Sequence, residues 1–263
     1  MRLPPGIHKS LDWLFTAPFL IVFGSLLAIF DPLQRLARLF GPRPHEIVVG
    51  ALQKGLIAAF RLCGTRLEVE CSPAVQAWTP YLVIANHQSM FDVPIFGAIL
   101  FTNFPKYVAK RELARWIPSI SYNLRRGGNA IIDRSDSAQA IEAIRHLGRR
   151  VEQRGVSAVI FPEGTRARKG ALARFKPRGS LELLRSAPRT AVVPVVIDGS
   201  WRLLRHNLFP VPFGMRVRVA IGDPIARSAS DDAEMLLRRA EREIRGTLER
   251  WRAGSDAVAE GRD

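Results

Sequence analysis

The apolar residues of the chain change their pattern once, near residue 63. Before that point they form long unbroken runs: residues 13–30 read WLFTAPFLIVFGSLLAIF, 18 positions without a charge. At about 1.5 Å per residue this is the lower limit for crossing a bilayer, and a core helix reaches the same length. A secretory signal would have a shorter apolar region and a small-residue cleavage site, whereas Asp31, Pro32 and Leu33 follow here, so the segment is expected to be retained. A second apolar stretch, 47–62, is interrupted by Lys54 and Arg61, and a Pro- and Arg-containing connector at 31–46 separates the two. The pair is expected to form a helical hairpin that enters or lies on one leaflet, with Arg35, Arg38, Arg43, Lys54 and Arg61 meeting anionic headgroups. If the first segment instead spans, the positive charges after it place the remainder in the cytoplasm, and both readings put the catalytic part on the cytoplasmic face of the inner membrane.

Beyond residue 63 short β-branched runs alternate with helical patterns. Strands are expected at 67–69, 81–85, 130–132, 158–161, 192–197 and 215–221. A helix is expected over 137–155, where Ile141, Ile144, Leu147 and Val151 recur at helical spacing and Gly155 supplies the stop. A last helix at 231–251 opens with acids and closes with Arg250 and Arg252. This alternation predicts an α/β fold, a mixed sheet flanked by helices. The expected organisation is membrane-associated helices at 1–62, an α/β domain at 63–252 and a flexible tail at 253–263.

Composition sharpens that picture. With 263 residues and 47% hydrophobic content the chain can bury a sizeable core, and its 39 Lys plus Arg against 24 Asp plus Glu leave a net charge of +15. The excess calls for an anionic partner: nucleic acid, anionic lipid or a phosphorylated substrate. No zinc-finger spacing, RNP-like motif or basic recognition helix occurs, and an apolar N-terminus has no use in nucleic-acid binding, so nucleic acid is not expected as a partner. Cys63 and Cys71 are the only cysteines, too few for a disulfide framework or a four-thiolate metal site.

The chemistry begins at Asn86-His87-Gln88-Ser89-Met90-Phe91-Asp92, directly after an apolar strand. A histidine at the carboxyl end of a strand sits where open α/β sheets place their sites. Asp92, in the first turn of the next helix, can hold one imidazole nitrogen and leave the other free to take a proton from a hydroxyl. The rival reading makes Ser89 and Asp92 a capping box, with His87 in an ordinary turn. A second strand ends in Phe161-Pro162-Glu163-Gly164-Thr165-Arg166, followed by Arg168, Lys169, Arg174, Lys176 and Arg178 without an intervening acid. Arg166 and Lys176 flank a glycine-containing loop where a phosphate could be met by a guanidinium and an ammonium. A third strand delivers Arg134 from Gly128-Asn129-Ala130-Ile131-Ile132-Asp133-Arg134.

These blocks resemble those of the glycerol-phosphate acyltransferase superfamily, most closely its bacterial 1-acylglycerol-3-phosphate acyltransferases. Asn86 to Asp92 matches the Asn-His-x4-Asp block, Gly128 to Arg134 the Gly-x-x-x-Ile-Asp-Arg block, Phe161 to Arg166 the Phe-Pro-Glu-Gly-Thr-Arg block, and Val193 to Ile197 a Pro-centred fourth block. Ile131 stands where an aromatic is frequent. The resemblance covers about residues 65–225. It implies an acyltransferase-type sheet in which His87 deprotonates a glycerol hydroxyl while Asp92 holds the imidazole, and the hydroxyl attacks an acyl thioester directly. The chain contains no Gly-x-Ser-x-Gly elbow for an acyl-enzyme. By the same analogy Arg134, Glu163, Gly164 and Arg166 hold the glycerol phosphate, Lys110 can reach it, and Lys176 is a further candidate. The implied reaction is acylation of the 2-hydroxyl of 1-acyl-sn-glycerol-3-phosphate to phosphatidic acid, with acyl-CoA or acyl carrier protein as donor, on an anionic membrane surface. No metal or resident cofactor is expected. Another lysolipid acceptor, such as a lyso-aminolipid, is the alternative.

Overall fold

The computed structural model describes residues 5–260 except Arg168 and Ala229. Arg168 of the basic run and the last residues of the expected tail therefore lie outside the described residues. Seven strands, β1 (Arg66–Cys71), β2 (Leu82–Ala85), β3 (Lys106–Lys110), β4 (Ala130–Ile132), β5 (Ala158–Ile160), β6 (Val192–Asp198) and β7 (Arg216–Ile221), form one sheet in the order β1-β7-β6-β2-β5-β3-β4. Every neighbouring pair is parallel except β6 and β7. Six of these strands match the sequence expectation within a residue or two. β3 was not expected, because Lys106 and Lys110 bracket only three apolar residues.

The central strand β2 is buried on both faces, as a parallel strand with helices above and below must be. Its pleat divides the core: Leu82 and Ile84 face one layer, Val83 and Ala85 the other. The first layer holds α5 (Ser137–Arg154), α6 (Pro177–Ser186) and α7 (Ala233–Glu260), through Ile144, Leu147, Leu184 and Ile244. Asp136 caps α5 by accepting from the Gln139 amide, and Gly155 ends it in the left-handed region at φ +59°. α7 continues through 253–260, so the helix outlasts the end expected at residue 251 and takes in most of the segment read from the sequence as a tail.

The second layer contains α1 (Pro5–Leu39), α2 (Pro42–Ala59) and α3 (Asp92–Ile99), with the short α4 (Ile120–Arg126) beside them. The hairpin is present, but its expected sixteen-residue connector is a two-residue turn at Phe40 and Gly41. Pro32 is accommodated inside α1, while Gly41 at φ +117° breaks the helix and Pro42 starts the next with a preset φ. The hairpin is not detached from the sheet. Phe19 is fully buried and packs at a tilt on Phe60, which meets Phe91 edge-on. Along α1, Asp12 accepts from the Phe213 amide, Thr16 from Val211, and Asp31 from Ser119. The opposite face of α1 leaves Trp13, Leu14, Ile21, Ile29 and Leu36 exposed, and this helix is long and apolar enough to cross a membrane.

Candidate active site

Parallel neighbours end on the same edge of a sheet. The carboxyl ends of β6, β2, β5, β3 and β4 are therefore aligned about 4.8 Å apart from strand to strand, which is where open α/β sheets collect their chemistry. β2 delivers Asn86 and His87 there, β5 the Glu163 to Arg166 turn, β3 Lys110, β4 Arg134, and β6 Ser200.

His87 Nδ1 lies 2.8 Å from Asp92 Oδ2. Asp92 is completely buried, and its carboxylate is saturated: Oδ2 also accepts from the amides of Gln88 at 2.7 Å and Ser89 at 2.9 Å, while Oδ1 accepts from Ser200 Oγ at 2.6 Å. An acceptor-only group facing Nδ1 fixes the proton on that nitrogen and leaves Nε2 as the acceptor. The capping reading was not an exclusive rival: the carboxylate that orients the imidazole also reaches back to the Ser89 amide at the start of α3. The ring is held on its face by Phe161, with centroids 4.1 Å apart and planes at 17°.

The backbone beneath His87 is braced from three sides. Asn86 clamps β6 with a reciprocal pair of hydrogen bonds to Ile197, both 2.8 Å. Ala167 donates to the His87 carbonyl at 2.7 Å. Glu163, 1% exposed, accepts the His87 amide at 2.7 Å through Oε1 and the Ala173 amide at 2.8 Å through Oε2. Both its oxygens face backbone donors, so the side chain braces the loop rather than opening toward a phosphate. Burial raises its carboxyl above the ordinary value, against the lowering effect of those two amides.

Gly164 adopts φ +66°, a turn conformation that favours glycine, and the Lys176 side chain packs beside it, its Cδ at ordinary contact distance, 3.5 Å, from where a Cβ would stand. Lys110, Arg134, Arg166 and Lys176 are exposed at this edge, and no ion pair engages any of them among the described residues. Their neighbours differ: Arg111 pairs with Asp133 at 3.0 Å. Exposed cations without an ion pair are groups that an external anion can engage. The sequence carries no signal for Ser200, which lies 108 residues from the aspartate it serves and has no motif of its own.

A family model described as Acyltransferase matches residues 66–198, half of the chain. Over 144 residues the chain is 31% identical to a 1-acyl-sn-glycerol-3-phosphate acyltransferase of Cocos nucifera, covering 52% of this chain and 44% of that protein. It is 32% identical over 166 residues to the alpha form from Mus musculus, covering 62% and 57%. Against the Salmonella typhimurium protein of the same name identity is 27% over 186 residues, covering 71% and 70%. The chain spans about half the length of the Cocos nucifera and Mus musculus relatives. Its fold matches the crystal structure of the 1-acyl-sn-glycerophosphate (LPA) acyltransferase PlsC from Thermotoga maritima, with TM-score 0.72, 24% identity and coverage of 94% and 98%.

Proposed function

Starting from the fact that this chain belongs to the acyltransferase family, we propose that it transfers an acyl chain from a thioester, acyl-CoA or acyl carrier protein, to the 2-hydroxyl of 1-acyl-sn-glycerol-3-phosphate, giving phosphatidic acid. The observation that carries this reading is the buried, saturated Asp92 carboxylate against His87 Nδ1, beside four exposed cations on the same sheet edge that form no ion pair among the described residues. A base alone is generic; a base flanked by exposed cations selects a hydroxyl attached to a phosphate.

In this mechanism His87 Nε2 takes the proton of the acceptor hydroxyl as its oxygen attacks the thioester carbonyl. Asp92 holds the ring and stabilises the imidazolium that forms. The proton then passes to the departing thiolate, and the ester is left on the glycerol. The thioester supplies the activated carbonyl, so the reaction needs neither metal nor resident cofactor. Arg134, Arg166 and Lys110 bind the phosphate, with Lys176 closing over Gly164. Glu163 acts on the acceptor only through the position of His87.

The lysolipid acceptor resides in a bilayer, and the hairpin brings the site to it. α1 is hydrogen-bonded to the body at Asp12, Thr16 and Asp31 along most of its length. A perpendicular crossing would drag the polar domain beside those residues into hydrocarbon, so α1 lies along the interface with its exposed apolar face in one leaflet. The catalytic edge works from the cytoplasmic side.

The test is product analysis by mass spectrometry after giving the purified protein mixed lysolipids with each donor. Phosphatidic acid from lysophosphatidate, abolished in His87→Ala, is the expected result. Activity confined to a lysolipid without the phosphate, or turnover unchanged in His87→Ala, overturns the reading.

A further inference from the structure

A second cationic site lies away from the catalytic edge. Between α1 and the segment leading into α4 runs a groove of about 540 Å³, lined by Arg35, Arg115, Trp116, Ile117, Tyr122 and Arg125 among others, and by none of the residues placed in the catalytic site. That volume falls in the range of about 300–1,000 Å³ typical of ligand sites. Three guanidinium groups and one carboxylate, Asp31, line the groove, and both Asp31 oxygens are occupied, by Arg35 Nε at 2.7 Å and the Ser119 amide at 2.6 Å. Arg35 is further oriented over the Tyr122 ring, 4.6 Å from its centroid. Arg125 donates to the Ala114 carbonyl through one nitrogen, and Arg115 has no partner among the described residues. The groove therefore carries uncompensated positive charge on positioned side chains.

Its rim is apolar. Trp116 is 95% exposed, and Ile29, Leu33 and Leu36 are exposed on the stretch of α1 that borders the groove. Trp116 and Ser119 both hold positive φ, +68° and +62°. Such strain persists where surroundings impose it. Here they do, because buried Ser119 is pinned to α1 by Asp31 and by its own Oγ donating to the Leu27 carbonyl at 2.8 Å. The segment is thus braced against α1 while it presents an indole to the outside. Tryptophan at that position matches the interfacial zone of a bilayer, and the arginines beneath it match a phosphate.

We infer that this groove binds the phosphate headgroup of an anionic phospholipid in the bilayer, with Trp116 seated among the headgroups and the lipid's acyl chains along the outer face of α1. The inference rests on the membrane reading above and is separate from acceptor binding at the catalytic edge.

Flotation of the full-length protein tests it, on vesicles of phosphatidylcholine alone and of phosphatidylcholine with phosphatidylglycerol. The native protein should float on both and gain from the anionic lipid. Arg115→Ala should reduce that gain about fivefold, the equivalent of one cation near an anionic surface. Trp116→Ala should weaken flotation on both vesicles. Arg185→Ala, an exposed charge on α6 in the opposite layer, should leave the gain unchanged. Activity in detergent micelles should be unaltered in all three, which verifies folding. An equal loss in Arg115→Ala and Arg185→Ala, or no anionic gain in a native protein that floats, overturns the inference while the membrane reading stands. Abolition of the gain by soluble glycerol 3-phosphate at matched ionic strength overturns the lipid as the ligand. Failure of the native protein to float on either vesicle overturns both readings.

Discussion

Asp92→Asn separates the charge of the orienting carboxylate from its shape, and the local geometry dictates how the amide must sit. Three N–H groups converge on Oδ2, from His87, Gln88 and Ser89, but among the described residues only the Ser200 hydroxyl reaches Oδ1. An amide nitrogen at the Oδ2 position would face three donors, so the asparagine keeps its oxygen there and turns its NH2 toward Ser200, whose hydroxyl can rotate to accept. The His87 tautomer and ring position survive, and only the negative charge beside the developing imidazolium is lost. For charges roughly 4 Å apart at an effective dielectric near 20, that loss is about 4 kcal/mol, or about a thousandfold in rate. Steady-state thiol release with lysophosphatidate and an acyl thioester should show the loss in kcat, with KM for the acceptor nearly unchanged and thermal melting close to native. Adding Ser200→Ala should lower kcat further, because the buried NH2 loses its acceptor and a flip to the wrong orientation becomes competitive. A kcat for Asp92→Asn within about tenfold of native, equivalent to only about 1.4 kcal/mol, would refute the argument that this charge stabilises the transition state.

Glu163→Gln should cost about 1–3 kcal/mol in denaturant unfolding by setting a donor against a backbone amide, with acceptor KM unchanged; a raised KM at native stability would instead return Glu163 to the phosphate pocket. Because burial raises the Glu163 carboxyl, the stability it lends is greatest in acid and is lost as pH rises through its folded pKa, so the native advantage over Glu163→Gln should narrow on that rise. Arg134→Ala or Arg166→Ala should weaken the phosphorylated acceptor by about 1.5–3 kcal/mol, measured as KM with saturating donor, and an effect on donor KM alone would reassign those cations to the donor. Burial beside Lys106 and Arg38 depresses His45 to about 4, so stability present above pH 6.5 should fall as pH drops toward 4, by about 3 kcal/mol in unfolding titrations, and His45→Gln should flatten that slope. Deleting residues 1–62 uncovers the aromatic core around Phe91 and should yield an insoluble product, whereas high salt should fail to strip the intact protein from membranes; a soluble, active deletion would sink the first expectation and salt release the second.

The sequence by itself determined what depends on neighbours along the chain. Short continuous runs of apolar, largely β-branched residues marked β2, β5 and β6, helical spacing with Gly155 as the stop marked α5, and the interval from His87 to Asp92 marked an imidazole within reach of a carboxylate, because those two sit within one strand-to-helix turn. The length of the apolar run at 13–30 also announced a long apolar helix of the kind expected at a membrane. Tertiary structure alone decided whatever depends on partners distant in sequence. Ser200 completes the carboxylate's shell from β6, and Glu163 proves to be a backbone brace, because each role depends on atoms brought close by parallel pairing across the sheet. Lys106 made β3 look too polar for an interior strand until Glu46, on α2, supplied the partner that lets it be buried. The same holds for the hairpin: hydropathy gave its apolar character, but which face packs on the body and which stays exposed was decided by Phe19, Thr16 and Asp31 finding partners 41 to 195 residues away.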